Sequence, residues 1–415
     1  MMDGDARSEP VATPTARAAG TALPATSTHV QAADRRVLTA LCLGSFIATL
    51  TVIAPAPFFP AMARDLDVSV PLLGQIATAM LLLAALLGLV IGPLADRYGH
   101  RRLIVLGMVA ATVCLLVLGL APTFWILLLG SLAGGLAEAA VPGQSLAVAG
   151  THFSGPASRR AISWTIAALA GSGIIGVPVL TAIGSASNWR VAFMVAGLVA
   201  LSTTWLVAAW LPRTVPVARE ALHVRTFFST YGLLLRAGGT RRLYAASALR
   251  AVGWYGVLTY LGAYLADELG LDTGQIGLAY MLGGTGYFLG SLVAGGPLAR
   301  VPPLQLLILG NLVLATLTGI LFAAVTGSAG TVAILSVLCF AAAFGWIGIT
   351  ALLTAETPVG AGVTMALNGS LLNVGAAGGG AIGGLLLALA GYDALAYGLP
   401  LFSLASALLV WRRLP

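Results

Sequence analysis

The sequence predicts an all-α membrane protein with twelve transmembrane helices in two pseudo-symmetric six-helix bundles. Hydrophobic residues make up 59% of the 415 residues and charged residues 8%, and the mean hydropathy is +0.97. Such a composition cannot cover a water-facing surface with polar atoms. The few charges leave apolar stretches long enough to cross a bilayer. Short patterns also recur at a spacing of about 200 residues, which indicates two related halves.

Charge-free intervals mark the helices in order, since a spanning helix needs roughly 20 mostly apolar residues. Helix 1 is predicted to begin near Val37, and helix 7 to span Leu243 to Leu265. Breaks at Pro122 and around residues 327 to 330 divide two longer stretches, which brings the total to about twelve. The intervals that each hold about one helix are Asp67 to Asp96, Arg160 to Arg190, Arg190 to Arg213, Asp272 to Arg300 and Asp393 to Arg412.

The positions of the arginines predict the orientation. The chain has no lysine, and nearly all of its arginines fall on alternate loops, which the positive-inside rule assigns to the cytoplasm. The opposite loops are acidic, apart from Arg64 and Arg190. We therefore predict a multi-pass protein of the cell inner or plasma membrane with both termini cytoplasmic. The predicted organisation is a disordered cytosolic tail at 1–34, a bundle at 35–211, a cytoplasmic linker at 212–242 and a second bundle at 243–415.

Matching short patterns in the two halves support the parallel repeat. Gly-Gln-Ile at residues 74–76 recurs at 274–276, and Gly-Pro-Leu-Ala at 92–95 recurs at 296–299. Gly171 and Gly176 have counterparts at Gly375 and Gly380. Chance agreement is an alternative for any single match in a chain with 52 glycines. The ordered agreement across helices 2, 5, 8 and 11 favours two homologous bundles.

A compact charged turn between helices 2 and 3 reads Gly-Pro-Leu-Ala-Asp-Arg-Tyr-Gly-His-Arg-Arg from Gly92 to Arg102. It resembles the signature loop of the major facilitator superfamily, with His100 where a basic residue is usual. The resemblance implies the major facilitator fold and a gating role for Asp96, which would meet the positive end of the helix 11 dipole. The residues expected to form this gating motif are Gly92, Asp96, Arg97, Gly99, Arg101 and Arg102.

Helix 5 carries a run of small residues followed by a proline, Gly-Ser-Gly-Ile-Ile-Gly-Val-Pro at residues 171–178. With the following Asn-Trp-Arg-Val-Ala-Phe, it resembles the drug:proton antiporters with twelve helices, especially the arabinose-efflux-permease-like branch. Gly171, Gly176 and Pro178 are the expected antiporter motif. The resemblance implies proton-coupled efflux of hydrophobic or amphipathic small molecules. A sugar or other nutrient transporter of the same fold is the alternative.

Helix 4 departs from the family pattern, because Ser131 stands where an arginine is usual. Two ionisable residues at membrane depth offer a substitute for proton coupling, Glu138 in helix 4 and Arg250 in helix 7. Ionisable groups within a membrane are costly unless they face a cavity or a partner. At ~1.5 Å per residue both residues lie at comparable depths, which permits pairing. A purely structural ion pair, or an Arg250 that reaches the cytosolic interface, is the alternative.

Aromatic and amide side chains supply candidates for the wall of a substrate cavity, by stacking and hydrogen bonding. Packing between helices is the alternative role for each of them. An enzyme is disfavoured, because the four histidines lie outside the apolar spans and no catalytic or metal-ligand cluster is evident. The expected partners are a small-molecule substrate, protons and the bilayer, with no nucleic acid, metal or cofactor beyond the proton gradient, and the chain is expected to be a monomer. The candidate cavity residues are Trp254, Tyr255, Tyr260, Trp346, Asn368 and Asn373.

Overall fold

The N-terminal half of the protein consists of six membrane-crossing helices. The structure, a computed structural model, describes residues 26–212, 231–236, 238–324, 327–356 and 361–411. The helices of this half are α1 (Thr26–Ile53, continued by Ala56–Phe58 and Phe59–Leu66), α2 (Val70–Tyr98), α3 (His100–Leu120), α4 (Phe124–Ala140 and Pro142–His152), α5 (Gly155–Gly171, a π-helical turn at Ser172–Gly176, and Val177–Ala186) and α6 (Trp189–Trp210).

The C-terminal half repeats this plan. Its last helical segment, Ala361–Trp411, has non-helical backbone angles at Ala390 and Gly391, with a positive φ of 68° at the glycine. This break divides the segment into α11, which precedes Ala390, and α12, which follows Gly391. The other helices of this half are α7 (Gly238–Asp267), α8 (Thr273–Gly295), α9 (Pro303–Ala323) and α10 (Gly327–Ala355).

The described residues contain twelve membrane crossings. Ten segments are long and apolar enough to cross a membrane. One of them, Val363–Trp411, has 49 residues, or about 74 Å of helix, which is more than twice the ~30 Å hydrocarbon core. Its break at Gly391 therefore separates two crossings. The helix α7 is not among the ten, because Arg250 and several aromatic residues with polar groups lower its hydropathy. It nevertheless packs against α11 and α12 as the remaining crossing.

Two helix boundaries differ from the sequence-based expectation. The first helix begins at Thr26 rather than near Val37, so residues 26–34 are helical and do not belong to a disordered tail. Helix α7 begins at Gly238, within the predicted linker. Both extensions consist mostly of polar and charged residues, so a boundary drawn from apolar and charge-free stretches does not detect them. The rest of the predicted tail, residues 1–25, and residues 213–230 of the linker lie outside the described residues.

Local side-chain chemistry fixes several helix starts. Asp272 and Gln275 form a capping box at the start of α8. The Asp272 carboxylate accepts from the backbone N–H of Gln275 at 2.9 Å, and the side-chain Oε1 of Gln275 accepts from the backbone N–H of Asp272 at 3.0 Å. Asn188 caps α6 by accepting from the N–H of Val191 at 2.9 Å. These caps satisfy donors that the first helical turn leaves free. The two caps thereby determine the residues at which α6 and α8 begin.

The two halves meet along two pairs of helices. The helix α2 packs along α11, and the Val177–Ala186 part of α5 packs on α8. We call the end of the bundle with the α2–α3 turn the inner end and the end with the α1–α2 turn, at residues 66–70, the outer end. The helices α2 and α11 are in contact along much of their length, since Gly380 lies against Gly74 and Gly384 lies against Pro71 near the outer end, and Gly88 lies against Ser370 further inward. The space between the halves contains the candidate site.

Candidate functional site

A cavity of about 390 Å³ lies between the two halves. Its wall is formed by α1, α2 and α5 on one side and by α7, α8 and α10 on the other. The described residues that line it include no charged side chain. Five aromatic residues with a polar group, Trp254, Tyr255, Tyr280, Tyr287 and Trp346, are all contributed by the C-terminal half. A drug-sized molecule fits a space of this size and character.

Helical periodicity explains which aromatic residues reach the cavity. Trp254, Tyr255 and Leu258 lie on one face of α7, and Tyr280 and Tyr287 are seven residues apart on one face of α8. The rings of Trp254 and Tyr287 pack with their centroids 5.8 Å apart at a tilt of 32°. The Tyr280 hydroxyl donates to the Leu258 carbonyl oxygen at 2.6 Å. These contacts hold the aromatic wall together across α7 and α8.

The structure divides the six predicted cavity residues into two groups. Trp254, Tyr255 and Trp346 line the cavity, whereas Tyr260, Asn368 and Asn373 do not. Tyr260 is completely buried, because it lies five residues beyond Tyr255 on a different face of α7 and its hydroxyl donates to the Gly380 carbonyl oxygen at 2.6 Å. Asn368 is buried within the bundle, and Asn373 is partly buried on α11.

Two lining residues, Tyr280 and Tyr287, were missed by the sequence analysis. Their spacing of seven residues places both on one face of α8, and this spacing was the signal that could have identified them. The face that it defines is shared with Gly283 and Gly284, which also line the cavity. Aromatic residues and glycines on one helix face therefore form part of the wall.

Glu138 lies in α4, just before the interruption of that helix at Val141. Its side chain is partly buried, and its Oε2 atom is buried with no hydrogen-bond partner. Glu138 interacts electrostatically with Tyr255 of the opposite half. The preceding turn of α4 packs closely on α2, because a Cβ atom on Gly134 would lie 2.8 Å from the Met80 side chain. The turn that precedes Glu138 is therefore fixed against α2 within the N-terminal half.

Arg250 is almost fully buried within the C-terminal half, at 3% exposure. Its Nη2 atom donates to the Ala342 carbonyl oxygen at 2.5 Å. A Cβ atom on Gly345 would lie 2.6 Å from the Arg250 Nε atom. Because glycine has no side chain, a slot remains beside Gly345, and the arginine occupies it. Asn311 borders the same slot and donates to Ser406 at 3.0 Å. Arg250 therefore belongs to a polar cluster that joins α7, α9, α10 and α12.

The predicted pairing of Glu138 with Arg250 is absent from this conformation. No ion pair within 4 Å joins these two residues, whereas Arg190 and Asp65 form one at 2.8 Å. The reason is that Arg250 points into the slot beside Gly345. Because Arg250 is buried among the helices, it does not reach the cytosolic interface, which was the alternative position. Tyr255 interacts electrostatically with both residues.

The charged turn between α2 and α3 is built around Gly99. This residue has a positive φ of 90°, which favours glycine, and its N–H donates to the Ala95 carbonyl oxygen at 2.8 Å. The Arg97 guanidinium lies 5.3 Å from the centre of the Tyr98 ring. The side chain of Asp96 lies outside the described part of the chain, so its contact with α11 stays a prediction.

The arginines of the turn lie within the N-terminal half. The Nη2 atom of Arg101 donates to the Ala208 carbonyl oxygen at 2.6 Å, where a cation meets the negative end of the α6 dipole. Arg102 is exposed, and an added Cβ atom on Gly92 would have no neighbour within 4 Å. This contact joins α3 to α6 within one half, so it does not connect Arg101 to the other half.

The glycine and proline run of α5 produces a local π-helical turn. The Val177 N–H bonds to the Ser172 carbonyl oxygen, five residues earlier, and Pro178 follows without an N–H of its own. Gly176 lies against α1, because a Cβ atom there would lie 2.8 Å from Leu50 and 2.9 Å from Phe46. The motif therefore combines an irregular backbone with a close contact between α1 and α5, directly beside the cavity residues Ser172 and Gly173.

Comparison with known proteins identifies the family. The family model described as Major Facilitator Superfamily matches residues 41–272 and 243–415. The chain belongs to the major facilitator superfamily. This membership confirms the resemblance drawn from the charged turn, and the relatives described below are transporters.

Individual members of the superfamily are similar over part or most of the chain. An uncharacterised transporter, YceJ of Bacillus subtilis, is 26% identical over 262 residues, which cover 63% of this chain and 66% of YceJ. Multidrug resistance protein D of Escherichia coli is 26% identical over 262 residues, which cover 60% of this chain and 62% of that protein. The alignments thus span less than two thirds of either relative. The crystal structure of the human organic anion transporter MFSD10 superposes with a TM-score of 0.66 at 20% identity, over 91% of this chain and 99% of the other.

Ser131 of α4 is the residue for which the family resemblance leads to the expectation of an arginine. It is completely buried, and its hydroxyl donates to the Leu128 carbonyl oxygen at 2.6 Å. Nearby, Gly134 and Gly135 lie directly against α2. The close contact of α4 with α2 is thus made by the two glycines, and the Ser131 hydroxyl bonds within its own helix.

Proposed function

We propose that this member of the major facilitator superfamily is a proton-coupled exporter of hydrophobic or amphipathic small molecules. The two halves would expose the cavity alternately to either side of the membrane. The proposal has three parts, namely the class of substrate, the group that carries the proton and the direction of transport.

The observation that carries the substrate class is the charge-free, aromatic lining of the cavity. A lipophilic molecule gains free energy by leaving water for such a wall, and the rings of Trp254 and Tyr287 offer faces for stacking. A sugar needs many hydrogen-bonding partners in its site, since each unpaired polar group costs free energy when it is buried. Most of the lining side chains are aliphatic or small, which favours an amphipathic substrate over a sugar.

The group proposed to carry the proton is Glu138. Its Oε2 atom has no hydrogen-bond partner, and a buried carboxylate without a partner is unfavourable unless it is protonated. Among the acidic residues with described side chains, Glu138 lies within a membrane span and away from the ends of that span. The others lie at helix ends or are exposed. A change in its distance from Arg250 between the two states of the transporter would change its affinity for a proton.

Export is favoured over uptake by the antiporter-like run in α5 and by the similarity to Multidrug resistance protein D. In an exporter of this kind, protons enter the cell as the substrate leaves. The test is dye transport in inside-out membrane vesicles, whose lumen is acidified by respiration. We expect the lipophilic dye Hoechst 33342 to be moved into the lumen, and nigericin, which collapses the pH gradient, to reverse this movement.

Two tryptophan variants separate a site effect from a general effect. Trp254 lines the cavity, whereas Trp205 of α6 is 70% exposed on the outside of the bundle. Trp254→Ala is expected to raise the KM for the dye about tenfold, since one aromatic contact in a closed site contributes on the order of 1.4 kcal/mol. Trp205→Ala should leave KM unchanged. Dye expulsion from the acidified lumen, in place of uptake into it, would reverse the proposed direction.

A further inference from the structure

We propose that two hydroxyl-bearing side chains, Tyr260 and Thr181, close the outer end of the cavity by fitting into glycine notches on the opposite half. Tyr260 of α7 fits against Gly74 of α2, and Thr181 of α5 fits against Gly277 of α8. The fit of Tyr260 then sets the balance between outward-closed and outward-open conformations. This inference rests on the alternating access of the proposed function, but it can be tested without a transported substrate.

The notch around Tyr260 is formed by glycines of two helices. A Cβ atom on Gly74 would overlap the Tyr260 hydroxyl, and one on Gly384 would lie 2.6 Å from it. A Cβ atom on Gly383 would lie 2.7 Å from the ring. The hydroxyl donates to the Gly380 carbonyl oxygen at 2.6 Å. The phenol can occupy this position only because side chains are absent from α2 and α11.

The second notch has the same construction with the halves exchanged. A Cβ atom on Gly277 of α8 would overlap the Thr181 side chain, which belongs to α5 of the other half. Thr181 is completely buried, and its hydroxyl donates to the Pro178 carbonyl oxygen at 3.0 Å. One turn further out, a Cβ atom on Gly274 would lie 3.2 Å from the Ser185 hydroxyl. Each half therefore provides one notch and one side chain.

These contacts account for a repeated motif that transport chemistry alone does not explain. Gly-Gln-Ile occurs at residues 74–76 and again at 274–276, and both copies lie near the outer start of α2 or α8. Gly74 of the first copy faces Tyr260, and Gly274 of the second copy faces Ser185, each of the opposite half. A third contact lies at the same end, where a Cβ atom on Gly262 would be 2.9 Å from the Ala56 carbonyl oxygen. Opening of the outer end must separate all three contacts.

The test measures the separation of the two halves by double electron–electron resonance on the full-length protein in nanodiscs. The native cysteines Cys42, Cys114 and Cys339 are first replaced by serine or alanine. Spin labels at residues 69 and 268, which are exposed at the outer end, report outer opening. A second pair at residues 102 and 305, exposed at the inner end, reports inner opening.

Gly74→Ala should shift the outer pair to longer distances, because the methyl group occupies the place of the Tyr260 hydroxyl. Gly369→Ala is the matched control, since it makes the same change in α11, which packs along α2, at a position where a Cβ atom meets nothing within 4 Å. Tyr260→Phe removes only the hydroxyl and should give a smaller shift of the same sign. Combining Gly74→Ala with Tyr260→Leu should give shorter outer distances than Gly74→Ala alone, because the clash between the methyl group and the phenol is removed.

Three results would overturn the inference. Outer distances in Gly74→Ala that match those of wild type would show that the notch does not control closure. An equal change at the inner pair would indicate general loosening instead of a gate. Outer distances in the double variant as long as those of Gly74→Ala alone would show that Tyr260 is not the group displaced. None of these outcomes depends on dye transport, so the proposed function would be judged separately.

Discussion

Replacement of Glu138 by glutamine should remove the coupling of transport to the proton gradient. The amide keeps the size of the carboxyl group but cannot bind and release a proton. The described side chains offer one acidic group inside a span and away from its ends, so we expect one proton to move per transport cycle. With no membrane potential, a pH difference of one unit then supports a substrate gradient of at most about tenfold, equivalent to about 1.4 kcal/mol.

The assay uses proteoliposomes with a pH difference of one unit and with the membrane potential clamped at zero by potassium and valinomycin. Wild-type protein should build up a gradient of Hoechst 33342 that approaches tenfold, whereas Glu138→Gln should equilibrate the dye to a ratio near one. Exchange of dye in the absence of a pH difference should be retained by the variant. Glu268→Gln, at an exposed position of the outer end, is the control and should behave as wild type.

Two results would refute this reasoning. A glutamine variant that still maintains the tenfold gradient would show that Glu138 has a structural role and that another group carries the proton. A wild-type gradient near a hundredfold would require two protons per cycle, which one carboxyl group cannot supply. Loss of both gradient and exchange in the variant would instead indicate a folding defect, which dye binding measured by tryptophan quenching would reveal.

Three further predictions concern topology, the gating turn and the outer loops. A reporter fused after Pro415 should be active only as a cytosolic fusion, and periplasmic activity would contradict an even number of crossings. Asp96→Asn should slow transport at normal expression, whereas Arg300→Ala, at the corresponding place in the second half, should not; equal slowing would contradict an asymmetric gate. Arg190→Ala removes the bonds to Asp65 at 2.8 Å and to the Ala121 carbonyl oxygen. It should lower the free energy of unfolding by about 1–2 kcal/mol, measured by thermal denaturation in detergent, and an unchanged melting temperature would show that these contacts are not stabilising.

The sequence contained most of the information about the fold and less about the site. Hydropathy and charge spacing predicted the twelve crossings, because the bilayer imposes length and composition on each one separately. The choice of cavity residues depends on how each helix is rotated against its neighbours, which is a property of the packed bundle. Tyr260 was therefore wrongly expected in the cavity, although Tyr255, on the same helix, lines it.

The predicted ion pair illustrates the same limit. Depth along a helix can be read from the sequence, and it correctly placed Glu138 and Arg250 within membrane-crossing helices. Whether two such groups meet depends on small residues in other helices. Gly345 of α10 provides the slot that turns Arg250 into the C-terminal half, and nothing in the sequence around Arg250 indicates this. Contacts of this kind become visible only when the helices are assembled.

The polar character of α7 constrains how the chain is inserted into the membrane during synthesis. An arginine at the centre of a helix opposes insertion by about 2.5–3.5 kcal/mol, and the hydrogen-bond acceptor of Arg250 belongs to Ala342, which is synthesised 92 residues later. When α7 leaves the ribosome, neither α10 nor α11 exists to surround its polar face. The helix must therefore wait at the translocon or at the membrane surface until the rest of its half is made. The C-terminal half is thus expected to enter the bilayer as a unit, and nascent chains that end soon after α7 should leave this helix uninserted.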